Sequence, residues 1–125
     1  MTREPQYSSF VNEPRETLGI MSSHVWRDDP KRLGIVLARY KFVSKMFAGM
    51  DRVLEVGCGD GFYSRLVERE VHRLIVADFD PVFVRDARTR LRYVEMLDFC
   101  KEKWGNLFDG TYALDVLEHI QPRDE

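Results

Sequence analysis

Apolar residues along this chain fall into short blocks whose period switches between that of a helix and that of a buried strand. From Leu33 they recur at Val36, Leu37, Tyr40, Val43 and Phe47, the 3.6-residue stripe of an amphipathic helix. Asp28 or Asp29 is placed to cap it, Pro30 suits its first turn, and Gly49 suits its end. Residues Arg52–Val56 follow with Val53, Leu54 and Val56, the dense apolar run of a strand buried in a parallel sheet. A helix is predicted over 62–71, and a second strand over Arg73–Asp78, with Leu74, Ile75, Val76 and Ala77. A helix over 81–91 leads to a strand over 92–97. Residues 99–107 are mixed, with room for a helical turn, before a fourth strand over 111–117 and a helix starting near Glu118-His119. Strands alternating with helical crossovers imply an α/β fold, a parallel sheet with helices on both faces.

The first 29 residues carry no such period. Pro5, Pro14, Gly19 and the Ser22-Ser23 pair mark an irregular N-terminal cap, a loop with room for one short helix. Residues 30–125 form the domain proper. At 125 residues one compact unit is expected, and 44% hydrophobic and 32% charged residues are ordinary for a globular chain. A net charge of −2 gives no electrostatic reason to expect nucleic-acid or membrane binding. Cys58 and Cys100 form neither a C-x-x-C pair nor a disulfide framework, which favours a reducing compartment. No apolar run is long enough to span a bilayer, and residues 1–12 lack the apolar core of a signal peptide. A cytoplasmic protein is expected, and no cluster has metal-ligand spacing.

Chemistry concentrates at Val53-Leu54-Glu55-Val56-Gly57-Cys58-Gly59-Asp60-Gly61. Glycines at alternate positions let a backbone turn sharply from strand to helix and approach a ligand with no Cβ in the way. A dinucleotide fingerprint would place the next glycine at position 62, where Phe62 stands. A tight turn without ligand is the competing reading. The segment resembles the cofactor loop of class I S-adenosylmethionine (SAM)-dependent methyltransferases, a family with a Rossmann-like sheet. Its strand order would be 3-2-1-4 for the strands present here.

The resemblance implies a site. Gly57, Cys58, Gly59 and Gly61 would lie against the methionyl and ribose parts of SAM, with Glu55 positioning the loop and the amino-acid moiety. Asp78 ends the second strand, where a carboxylate can accept from both ribose hydroxyls; Asp80 reads as a helix cap. Phe79 matches the residue the family sets against adenine. Asp98 resembles the acid that accepts from the adenine amino group, with Phe99 donating its backbone N–H, although a surface carboxylate is the competing reading. Residues 108–120 resemble the family's fourth motif, which puts Leu114 and Asp115 near the methionyl group and the transferred methyl. His119 reads as structural, and His24, Trp26 and Tyr7 as either substrate-side residues or plain exposed aromatics. No catalytic residue is identified, since methyl transfer asks mainly for positioning and a dry site.

The family's sheet continues with strands five to seven, which lie beyond the fourth strand read here. An apolar fourth strand with an open edge invites association. Three readings stand: a fragment of a longer enzyme, a chain that pairs with a second copy or a partner subunit through that strand, or a cofactor-binding module that no longer catalyses. The expected function is SAM-dependent methyl transfer to a small-molecule acceptor, the alternative a catalytically incomplete cofactor-binding or subunit-interaction module.

Overall fold

The computed structural model describes residues 4–97 and 107–114. Two single 3-10 turns, Pro5–Tyr7 and Phe10–Asn12, precede helices α1 (Ile20–Asp28) and α2 (Pro30–Met46). The chain then alternates through β1 (Arg52–Val56), α3 (Arg65–Glu68), β2 (Arg73–Asp78), α4 (Pro81–Ala87), β3 (Tyr93–Met96) and β4 (Gly110–Ala113). The four strands form a parallel sheet in the order β3-β2-β1-β4.

Strand β1 is central because its residues tolerate burial on both sides. Val53 and Leu54 are buried on opposite faces, and Val53 pairs with Leu74 of β2 and Gly110 of β4. The larger core cluster joins Val53, Leu74, Val76 and Tyr112 of the sheet to Tyr40 and Val43 of α2, Val67 of α3 and Val84 of α4. A smaller cluster of Leu54, Val56, Ala77 and Leu97 packs with Ile75 and Phe108.

Both inner strands stand where the apolar runs place them. The helices are shorter than their periods suggest, for local reasons. The glycine loop runs on through turn residues to Ser64, so α3 begins only at Arg65. Helix α4 ends at Ala87, beyond which Thr89 N and Arg90 N bond three residues back, to Asp86 and Ala87, and the Thr89 hydroxyl also bonds the Asp86 carbonyl at 2.6 Å. The cap segment does contain one helix, α1. Asp29 occupies the N-cap of α2 without a side-chain bond, whereas Asp80 caps α4 by accepting from the Val82 N–H at 2.9 Å. Residues 115–117 of the fourth strand, most of the 99–107 segment, Cys100, Glu118 and His119 lie outside the described residues.

Gly61 shows why the loop needs glycine. Its φ is +77°, and a Cβ there would stand 2.8 Å from Leu91 Cδ1 and 3.0 Å from Ala87 Cβ. Gly61→Ala is therefore expected to cost about 2–4 kcal/mol, from the left-handed backbone and overpacking together. Gly34, exposed within α2 with nothing within 4 Å of its would-be Cβ, is the contrast. Gly34→Ala should stabilise by about 0.5–1 kcal/mol, and urea denaturation of both variants checks the pair.

Candidate functional site

The loop between β1 and α3 passes over the carboxyl end of the sheet with Gly57, Gly59 and Gly61 all at positive φ, at +79°, +59° and +77°. Gly57 N and Cys58 N both donate to the Ala77 carbonyl of β2, at 2.7 and 3.2 Å. Asp78 closes the arrangement. Its Oδ2 accepts from Gly59 N and its Oδ1 from Asp80 N, each at 2.9 Å, so one carboxylate ties the loop after β1 to the loop after β2. Each oxygen has a second acceptor direction, which leaves the group able to take two further donors. Against these loops lies a cavity of about 530 Å³. Gly57, Cys58, Gly59, Asp60, Asp78, Phe79, Asp80 and Phe83 line it from the loops and α4; Met21, Val25, Arg32, Val36, Tyr40, Tyr63 and Leu114 complete the wall.

Glu55 is not part of that wall. Its side chain is fully buried beneath the loop and accepts three hydroxyl bonds: from Tyr40 of α2, from Ser64 at 2.5 Å, and from Tyr112 of β4 at 2.7 Å. Burial raises its pKa, and the three donors oppose the rise. Tyr40 carries the effect to the cleft, since its ring lines the cavity and stacks on Tyr63 with centroids 5.4 Å apart. Burial, then the charges of Glu55 and Asp78, push the Cys58 thiol far above its ordinary value. That cysteine is a small packing residue rather than a nucleophile.

A second network went unseen in the sequence. Asp60 accepts from Ser22 N at 2.8 Å, Ser22 Oγ at 3.2 Å and Phe62 N at 3.0 Å. Asp86 accepts from Ile20 N at 2.9 Å, and Arg90 pairs with Asp86 while donating to the Asp60 carbonyl and the Thr17 hydroxyl. The cap is thereby seated on the glycine loop, with Met21 and Val25 of α1 over the cavity. Gly19 permits the close approach: at φ +113°, its Cβ would meet Asp60 Oδ2 at 2.5 Å. Gly19, three residues before the Ser22-Ser23 pair, was the available signal.

The other predicted residues divide plainly. Phe79, half exposed, and Leu114 line the cavity, together with the glycines other than Gly61. Tyr7 and Trp26 are exposed, and His24 pairs with Asp28 on the outer surface; none of them lines the cavity. Asp98, Phe99 and Asp115 lie outside the described residues. Among the described residues no group of His, Cys, Asp and Glu could hold a metal, and no helix is long and apolar enough to cross a membrane.

With this geometry the comparisons agree. Residues 54–125 match the family model described as a methyltransferase domain, and the chain belongs to that family. No curated protein sequence matches. Among solved structures, the N-methyltransferase NodS of Bradyrhizobium japonicum WM9, in complex with S-adenosyl-L-homocysteine (SAH), is 20% identical with a TM-score of 0.59. The match covers 96% of this chain and 61% of that one. The sugar N-methyltransferase KedS8 of Streptoalloteichus sp ATCC 53650 is 19% identical, TM-score 0.58, over 82% of this chain and 43% of that one. Magnesium protoporphyrin IX methyltransferase of Synechocystis PCC 6803, with bound SAM, is 16% identical, TM-score 0.56, over 94% and 59%. The chain spans less than two thirds of the length of each. The fold is that of the SAM-dependent methyltransferases, and SAM is the cofactor the family implies.

The Glu55 site has a measurable signature. A carboxyl whose folded pKa lies above its unfolded value holds its proton more tightly when folded, so its contribution to stability falls as pH rises between the two values. Glu55→Gln removes that titration. Above the ordinary carboxylate range, the stability difference, Glu55→Gln minus wild type, should therefore rise with pH and level off beyond the raised pKa. Denaturant midpoints over a pH series test this; a difference that stays flat throughout contradicts it.

Proposed function

We propose that the cleft binds SAM and that the protein serves methyl transfer to a small-molecule acceptor. The Asp78 carboxylate carries this reading: fixed by two backbone N–H groups at the carboxyl ends of β1 and β2, it keeps acceptor directions free for a ribose diol. The cradle also fits. Gly57 and Gly59 present backbone to the cavity at positive φ, and Phe79 and Phe83 offer apolar surface for an adenine ring. Asp98 and Phe99 are proposed as further adenine contacts, Leu114 and Asp115 as the methionyl side, with Glu55 and Gly61 shaping the loop. SAM, when bound, supplies an electrophilic methyl group on a sulfonium. The protein's part is to hold and to dry: Tyr40, Tyr63, Met21 and Val25 cover the cleft with apolar surface and keep water from the transfer.

The small-molecule acceptor is supported by what similar structures are said to act on, a sugar for KedS8 and an amino pentose for CalS10 of Micromonospora echinaspora. A cytoplasmic location belongs to the same proposal, resting on two cysteines with no disulfide pattern. So does association through β4, whose outer edge has no strand partner among the described residues. Sedimentation at two concentrations tests that last point, and a mass independent of concentration and equal to one chain rejects it.

Calorimetric titration with SAH tests the cofactor site. Wild type should bind in the micromolar range, and Asp78→Ala should weaken binding about tenfold or more, as the loss of charge-assisted hydrogen bonds requires. A folded chain that binds no SAH would leave the cleft without its proposed ligand.

A further inference from the structure

The cavity's charges are distributed by element. Its three acids, Asp60, Asp78 and Asp80, stand on the loop after β1, at the end of β2 and just beyond it, and each already accepts from backbone N–H. Its one cation among the described residues, Arg32, stands on α2. The Arg32 guanidinium forms no ion pair or hydrogen bond with a described residue. It lies near Tyr63, whose hydroxyl is pushed above its ordinary pKa by burial and partly relieved by the Arg32 charge. Met21, Val25 and Val36, which line the cavity from the same two helices, are apolar.

This cation suits the proposed cofactor poorly by charge alone. SAM carries a net positive charge, and the loop acids oppose it with the matching sign. An arginine in the same cleft repels the sulfonium, and its charge is met either by the cofactor's own carboxylate or by an anion on a second ligand. The acids stand on the proposed cofactor cradle, and Arg32 on the α1–α2 wall outside that cradle, where a second ligand of opposite sign can meet it.

We propose that Arg32 determines acceptor specificity, pairing with a carboxylate or phosphate on a small acceptor whose apolar body rests on Met21, Val25 and Val36. The proposal rests on the cofactor reading for its orientation, and it adds a substrate class: anionic amphipathic small molecules. Guanidinium suits such groups because its planar fork can meet two oxygens at once.

The test uses the full chain loaded with SAH, the probes phenyl phosphate, phenylacetate and neutral phenylacetamide, and the variants Arg32→Ala and Arg32→Lys. Because Arg32 is exposed, both variants should fold. Phenyl phosphate and phenylacetate should bind about tenfold or more tighter than phenylacetamide. Arg32→Ala should abolish that preference, and Arg32→Lys should keep part of it, with SAH affinity unchanged in both. If Arg32→Ala weakens SAH as much as the anionic probes, the anion it holds is the cofactor's own carboxylate, and the proposal is overturned. Equal binding of charged and neutral probes overturns it as well. If wild type fails to bind SAH yet prefers the anionic probes through Arg32, the cofactor reading fails while the anion site stands.

Discussion

A carboxylate buried with no cation beside it must be satisfied by hydrogen bonds, and much of this structure follows from how Glu55 meets that demand. Three hydroxyls converge on it from three separate places: Tyr40 on α2, Ser64 at the entry to α3, and Tyr112 on β4. Each such bond lost would leave a buried acceptor short of a donor, at about 1–3 kcal/mol. That cost sets the position of α2 over the sheet and favours the register that puts Tyr112 beside Glu55. It also orients a wall of the cleft, because the tyrosine that bonds Glu55 from α2 is the one whose ring faces the cavity. A residue wholly excluded from the cleft thus shapes it.

The loops above repeat the solution with backbone donors. Asp78 takes N–H groups from Gly59 and Asp80, and Asp60 takes them from Ser22 and Phe62. The difference lies in exposure to the ligand. Both Asp78 and Asp60 line the cavity, so their fixed geometry is presented outward, whereas that of Glu55 is spent inward. Preorganisation of this kind means that a ligand meets donors and acceptors already in place, and less ordering cost is left for binding. The same bonds tie three stretches of chain that are far apart in sequence: the cap, the glycine loop and the turn after β2.

What could be read from the residues was whatever local pattern dictates. The inner strands β1 and β2 were legible residue by residue, because a short apolar run with β-branched residues, such as Leu74-Ile75-Val76-Ala77, suits a covered sheet better than a helix. The glycine loop was legible because three left-handed positions in five residues demand glycine. Helix ends were not, since α4 tightens into i→i−3 bonds at Thr89 and Arg90 with no proline or glycine to announce it. Nor was the seat of the cap. Ser22, Asp60 and the Asp86–Arg90 pair come from three separate stretches, and each looks like an ordinary surface polar residue until folding brings them together. Arg32 was hidden similarly, as one charge among several on a helix whose apolar stripe drew attention elsewhere.

The chain of origin of each wall has a consequence for specificity. Glycines, Asp78 and the aromatic residues after β2 come from loops pinned to the sheet, and any substitution there disturbs backbone bonds shared between two loops. The opposite contributions, Met21, Val25, Arg32 and Val36, are side chains on helices α1 and α2 that use little of their polar chemistry to hold the fold. Changing them alters shape and charge in the cleft at small cost to stability. A fold arranged this way can keep one cofactor site constant while the surface facing a second ligand varies, which is how a single scaffold comes to serve many acceptors. Under the proposed pairing, the charge of Arg32 belongs to the acceptor rather than to the fold, since it forms no ion pair or hydrogen bond with a described residue.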